Sequence, residues 1–114
     1  MSGLAEIALF TDDVPGVSAF YSSLVRSAPV AEWPDGVLFD VGGVKILVHA
    51  RGAGVTDGPP NEDHFALSVA DLEDSCDALR AGGCELLLEP GDYSWGRSAY
   101  LRDPDGRLVE LAQS

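Results

Sequence analysis

Residues 64–83, "HFALSVADLEDSCDALRAGG", change their period part-way, and that change decides how the chain is read. "HFALSVA" has the residue types of a short half-buried strand, and "DLEDSCDALRAGG" then places Leu72, Cys76 and Leu79 on one face of a helix that Gly82 ends. The same order of elements occurs upstream. "LAEIALF" (4–10) alternates as a strand, with Leu4, Glu6, Ala8 and Phe10 on one face. "TDDVPGVSAFYSSLV" (11–25) follows as a helix of about three turns, capped by Asp12 or Asp13, with Pro15 in its first turn. Its apolar positions are Val14, Val17, Phe20, Tyr21 and Leu24.

Further strands complete each half. "GVLFDVGGVKILVHA" (36–50) reads as strands over 37–41 and 44–50 hinged by Gly42-Gly43. In the second half, a strand at "CELLLE" (84–89) and a loop at "PGDYSWG" (90–96) precede a hairpin, "SAYLRDPDGRLVELA" (98–112), turned by Asp103-Pro104-Asp105-Gly106. Asp13 overlays Asp71 and Glu6 overlays His64 at one common offset, and Gly43 matches Gly106 at a slightly longer one. The chain is therefore an internal duplication. We expect one α+β domain over 1–114, with repeat one at about 1–50, a Gly/Pro/Asp linker at about 51–63, and repeat two at about 64–114.

Composition narrows the function classes. The chain has 114 residues, 46% of them hydrophobic, which suits one core. Nineteen acidic residues stand against six arginines and Lys45, for a formal charge of -12 that argues against nucleic acid and anionic membranes as partners. No apolar run approaches the roughly 18 residues of a membrane span, and a cytoplasmic location is expected. Cys76 and Cys84 are expected as reduced, structural thiols.

One residue resists the strand pattern. Glu110 lies within "LVELA" on the face of Leu108 and Ala112, while Val109 and Leu111 point the other way. Burying a carboxylate costs several kcal/mol or more without compensation, so it must meet an arginine, a proton or a metal.

"TDDVPGVSAFY" (11–21), "DHFALSVADLE" (63–73) and "WGRSAYLRDPDGRLVELAQ" (95–113), set in a tandem strand-helix-strand-strand-strand repeat, resemble the vicinal oxygen chelate superfamily of glyoxalases, bleomycin resistance proteins and extradiol dioxygenases. The resemblance implies two curled half-cups, completed across a homodimer. It also implies ligand positions for a divalent metal (Zn, Ni, Co, Mn or Fe) on the first and last strands of each half. Carried over, these are Glu6, His64 and Glu110; the fourth falls on Leu47, which cannot ligate, and His49, two residues on, is the substitute.

The leading expectation is a metal-dependent lyase or isomerase acting on a small oxygenated molecule, with Glu110 or Glu6 as the base and Glu6, His49, His64 and Glu110 as ligands. Tyr93, Trp95, Arg97 and Tyr100 would line the mouth for a small, flat or anionic substrate, with Trp33 and Phe39 adding to it from the first half. The other class is a metal-free protein that binds or sequesters a small molecule, cationic ones being favoured by the charge. Each residue also has a plain structural reading. Glu110 would pair with Arg97, Arg102 or Arg107, His64 would bond the backbone near Asn61 or Asp63, His49 would face solvent beside Arg51, and Trp95 and Tyr100 would fill a gap between sheet and helix.

Overall fold

The computed structural model describes residues 3–52 and 58–114. Two compact units emerge, Glu6–Asp63 and His64–Ser114, the latter together with residues 3–5. Part of the expected linker, residues 53–57, lies outside the described residues. The first repeat runs β1 (Gly3–Thr11), α1 (Val14–Val25), β2 (Ala31–Trp33), β3 (Gly36–Val41) and β4 (Val44–Ala50). The second runs β5 (His64–Val69), α2 (Leu72–Ala81), β6 (Leu86–Tyr93), β7 (Gly96–Arg102) and β8 (Leu108–Gln113). The α+β class and the duplicated strand-helix-strand-strand-strand order are as the sequence implied.

Both repeats pair their strands alike. The first gives the order β2-β3-β4-β1 and the second β6-β7-β8-β5, so in each the first strand lies parallel to the last and the other neighbours are antiparallel. A parallel neighbour needs a crossover, and the helix supplies it. Asp13 and Asp71 cap those helices, accepting from the backbone N–H groups of Gly16 and Asp74. Gly42 and Gly43 have φ of 62° and 92°, which is the two-residue turn that a right-twisted hairpin needs.

Strand alternation places the core. In the second repeat Val69, Leu72, Cys76, Ala99 and Leu111 are buried together, with Leu67, Leu79, Leu86 and Leu101 packed around them. Leu72 and Cys76 come from α2, so the odd-numbered residues of β7 and β8 face the helix. In the first repeat Val37, Phe39 and Val48 form the core with Val17, Tyr21, Val25 and Ile46. Phe39 is thus a core residue under α1 and does not line a mouth.

Two expectations change, and one strand is added. On α1, Val17, Tyr21 and Val25 face the sheet, whereas Phe20 and Leu24 are 60% and 65% exposed. The helix carries two apolar stripes one residue apart, and the sequence does not say which turns inward. β6 extends through Pro90, Gly91 and Asp92 instead of ending at Glu89, because it pairs only with β7 and its register shifts absorb the proline. The short edge strand β2 lay in a stretch with no alternation to reveal it.

Candidate active site

The even-numbered residues of β7 and β8 face away from α2 and gather polar atoms. Glu110 pairs across the ladder with Tyr100 on β7 and with Ala66 on β5. His64 lies two residues before Ala66, on the same face. The result is a buried cluster. His64 Nε2 lies 3.0 Å from Glu110 Oε1, with both side chains under 8% exposed at 6% and 7%. Ser98 Oγ donates to Glu110 Oε2 at 2.8 Å. An ionised carboxylate has only acceptors, so an imidazole N–H and a hydroxyl O–H satisfy one oxygen each. Tyr100 stands beside the pair, its ring 6.0 Å from that of His64 at 73°.

Glu110 therefore meets a histidine and a serine, where the plain reading had an arginine. Arg97 and Arg107 pair elsewhere, with Glu73 and Asp92 and with Asp103 and Asp105 respectively. Ser98 was not singled out from the sequence. Its signal is parity: one hairpin places it on the Glu110 face, adjacent to Ala112.

Ladder register identifies the matching positions of the first repeat. Leu47 is the partner of Ala8 as Glu110 is of Ala66, so Leu47 occupies the carboxylate position and Glu6 that of His64. Leu38 likewise stands for Tyr100 and Gly36 for Ser98. Glu6 is paired with Lys45, four rows along the ladder from the row of Phe10 and His49. At about 3.3 Å per residue those rows are about 13 Å apart. Glu6 and His49 share a face of this ladder but not a location.

His49 has an environment of its own. Its Nδ1–H donates to the carbonyl of Ala50 at 2.8 Å, and its ring lies 5.7 Å from Phe10 and 6.3 Å from Trp33. The space it fills is left by Gly36, where an added Cβ would meet the Val48 carbonyl at 2.7 Å and the His49 ring at 3.2 Å. Trp33 thus packs on His49.

The four residues of the mouth set divide. Tyr93 and Trp95 stack in parallel, 4.7 Å apart at 5°, and Tyr93 meets Tyr100 edge-on at 6.1 Å. Arg97 is odd-numbered and goes to the α2 side, where Glu73 and Asp92 hold it and push its pKa further up. It is not beside the rings that the sequence grouped with it.

His64 and Glu110 offer one nitrogen and one oxygen of metal-ligating type, converged and oriented by a third group. Among the described residues, no group of three or more His, Cys, Asp or Glu side chains is clustered as for a metal ion. The pair fits half of a divalent site.

The sequence profile of the Glyoxalase/Bleomycin resistance protein/Dioxygenase superfamily matches residues 3–111. The chain belongs to that superfamily. A relative from Synechocystis sp., named as a probable lactoylglutathione lyase, is 36% identical over 70 residues, covering 60% of this chain and 53% of the relative. The chain spans about half the length of that curated relative. A glyoxalase/bleomycin resistance protein/dioxygenase superfamily member from Vibrio splendidus superposes with a TM-score of 0.69 at 21% identity, covering 97% of this chain and 99% of the other. Methylmalonyl-CoA epimerase from Mycobacterium tuberculosis gives 0.77 at 23% identity, covering 97% and 87%. Those likenesses are of fold. No helix among the described residues is long and apolar enough to cross a membrane.

Proposed function

We propose that this glyoxalase-superfamily chain is an enzyme of lyase or isomerase type that moves a proton on a small oxygenated molecule at His64 and Glu110. The observation that carries the reading is the buried His64–Glu110–Ser98 arrangement. A carboxylate within a strand is costly unless used, and here its two oxygens are differentiated. Oε2 accepts from the Ser98 hydroxyl, while Oε1 faces the titratable imidazole of His64. Oε1 is the atom that takes the proton, His64 orients it, and the buried setting excludes the water that would compete.

Superfamily members generally use divalent metal ions. His64 and Glu110 would hold such an ion, with Glu6 of a second copy of the chain as a further ligand; His49 is the less favoured member of the set, being committed to its ring cluster. When bound, the ion supplies a Lewis acid that polarises adjacent substrate oxygens. Names among the curated relatives, lactoylglutathione lyases, support lyase chemistry as a class.

The test is metal content and uptake. Purified protein and its Glu110→Gln variant are dialysed, offered Ni, Zn, Mn and Fe(II), and measured by plasma mass spectrometry. Near-stoichiometric metal in the parent, reduced about tenfold or more in affinity in the variant, is expected. A parent that takes up none of the four ions would overturn the metal-dependent reading. The metal-free binding reading, favoured by the -12 charge for cationic molecules, would then stand in its place.

A further inference from the structure

The position of Arg97 bears on which molecule the second repeat takes. It was the cation expected beside the aromatic residues, and it is held on the α2 side by Glu73 and Asp92. Other cations among the described residues are likewise in ion pairs. Lys45 is held by Asp40, Arg51 by Asp12, Arg80 by Asp77 and Glu89, and Arg107 by Asp103 and Asp105. Arg102 donates to the Gly106 carbonyl within its own hairpin. In the second repeat an anionic ligand would have to compete with these carboxylates for the guanidinium groups of Arg80, Arg97 and Arg107, in a field set by a net charge of -12.

The rings, by contrast, are continuous. Trp95 stacks on Tyr93 at 4.7 Å and 5°, Tyr93 meets Tyr100 at 6.1 Å and 80°, and Tyr100 meets His64 at 6.0 Å and 73°. Exposure falls along the strip from 58% at Trp95 to 1% at Tyr100, so it leads from solvent to the buried pair. Two glycines permit it. A Cβ on Gly91 would come 3.3 Å from the Tyr93 hydroxyl, and Gly96, at φ 132°, closes the tight hairpin that projects Trp95. Tyr93 covers one face of the indole. Trp95 remains 58% exposed.

We propose that the Tyr93–Trp95 stack is a platform for a planar ring on a ligand that carries no net negative charge. The second repeat then takes a ring-bearing neutral or cationic molecule and discriminates against anionic thioether conjugates. A parallel aromatic pair offers its outer face to a third ring, and an indole face attracts a cation while the acidic chain repels an anion. This rests on the reading of the second repeat as the ligand site, not on metal or turnover.

Trp33→Phe leaves Trp95 as the sole tryptophan and gives a direct readout. N-methylquinolinium, a planar cation, and S-hexylglutathione, an anionic thioether, are titrated against it by fluorescence and by calorimetry. Saturable quinolinium binding is expected, weakened about tenfold by Tyr93→Leu and by Trp95→Ala read calorimetrically, with S-hexylglutathione binding at least tenfold more weakly. Protein stripped of divalent ions by chelator and dialysis is expected to bind quinolinium within about twofold of untreated protein, which separates this proposal from the fate of the metal-dependent reading. S-hexylglutathione binding as tightly as quinolinium would overturn it. So would unchanged quinolinium binding in both ring variants.

Discussion

Glu110 shows how much one side chain depends on its neighbours across the ladder. Its strand offers it Leu108 and Ala112 on the same face, and its stabilisation comes from β5 and β7 instead. Removing one partner of a buried, paired carboxylate costs about 3–5 kcal/mol, which makes Glu110→Gln, with its retained polar shape, a more informative change than Glu110→Ala. Ser98 holds Glu110 through a hydrogen bond to Oε2, and in the proposed function it is a positioning residue. Ser98→Ala is expected to lower divalent-metal affinity about 10- to 100-fold, with Ser98→Thr restoring it and far-UV circular dichroism unchanged in both. Glu110 stood out in the sequence because a charge amid leucines is costly wherever it lies. Its serine did not, because the register of a hairpin must be known before a partner can be. Arg97 was misgrouped for a simpler reason: Arg97 and Tyr100 have opposite parity, and a run of neighbouring letters hides which face each takes.

At the level of elements, the β7–β8 turn is held by one side chain. Asp103 accepts from the backbone N–H groups of Asp105 and Arg107 and from the Arg107 guanidinium. The Arg107 backbone N–H, before the other contacts, holds the Asp103 carboxyl below the usual carboxylate range. A carboxyl whose pKa is lower folded than unfolded stabilises above its unfolded value and ceases to as the pH falls through its folded one. Asp103→Ala is therefore expected to lower Tm at pH 7, and the gap from the parent to close progressively below about pH 3.9 in thermal melts. The "DPDG" turn was readable because its residues have few backbone options. α1 was readable as a helix but not in orientation, since a segment without a single charged residue has no polar face to turn outward. β6 was cut short by Pro90-Gly91, a signal that usually marks a loop and here marks an edge strand.

For the molecule as a whole, the repeat was the legible fact. Equal spacing of Asp13 from Asp71 and of Glu6 from His64 predicted two copies of one topology, and ladder registers reproduce that equivalence row by row. The candidate site was only half legible: duplication placed Glu6, Leu47, His64 and Glu110 in matching positions, whereas Ser98 beside Glu110 and the distance of His49 from Glu6 needed the ladder registers. Charge is the other global property. With 19 acidic residues against seven basic ones, added NaCl screens more repulsion than attraction, and Tm is expected to rise between low salt and about 0.5 M. A fall would mean that the surface ion pairs outweigh the net charge.

The parallel pairing of first strand with last also orders events during biosynthesis. Within a repeat of this topology the opening strand pairs with the closing one, and that pairing waits until the closing strand has been made. The upstream copy can finish its ladder once β4 has left the ribosome, long before β8 is translated. His64 then emerges early in its own repeat and waits for Glu110, which comes with the last strand. The nascent chain can consequently complete its first ladder before the His64–Glu110 pair exists, and a polypeptide interrupted before β8 would lack that pair.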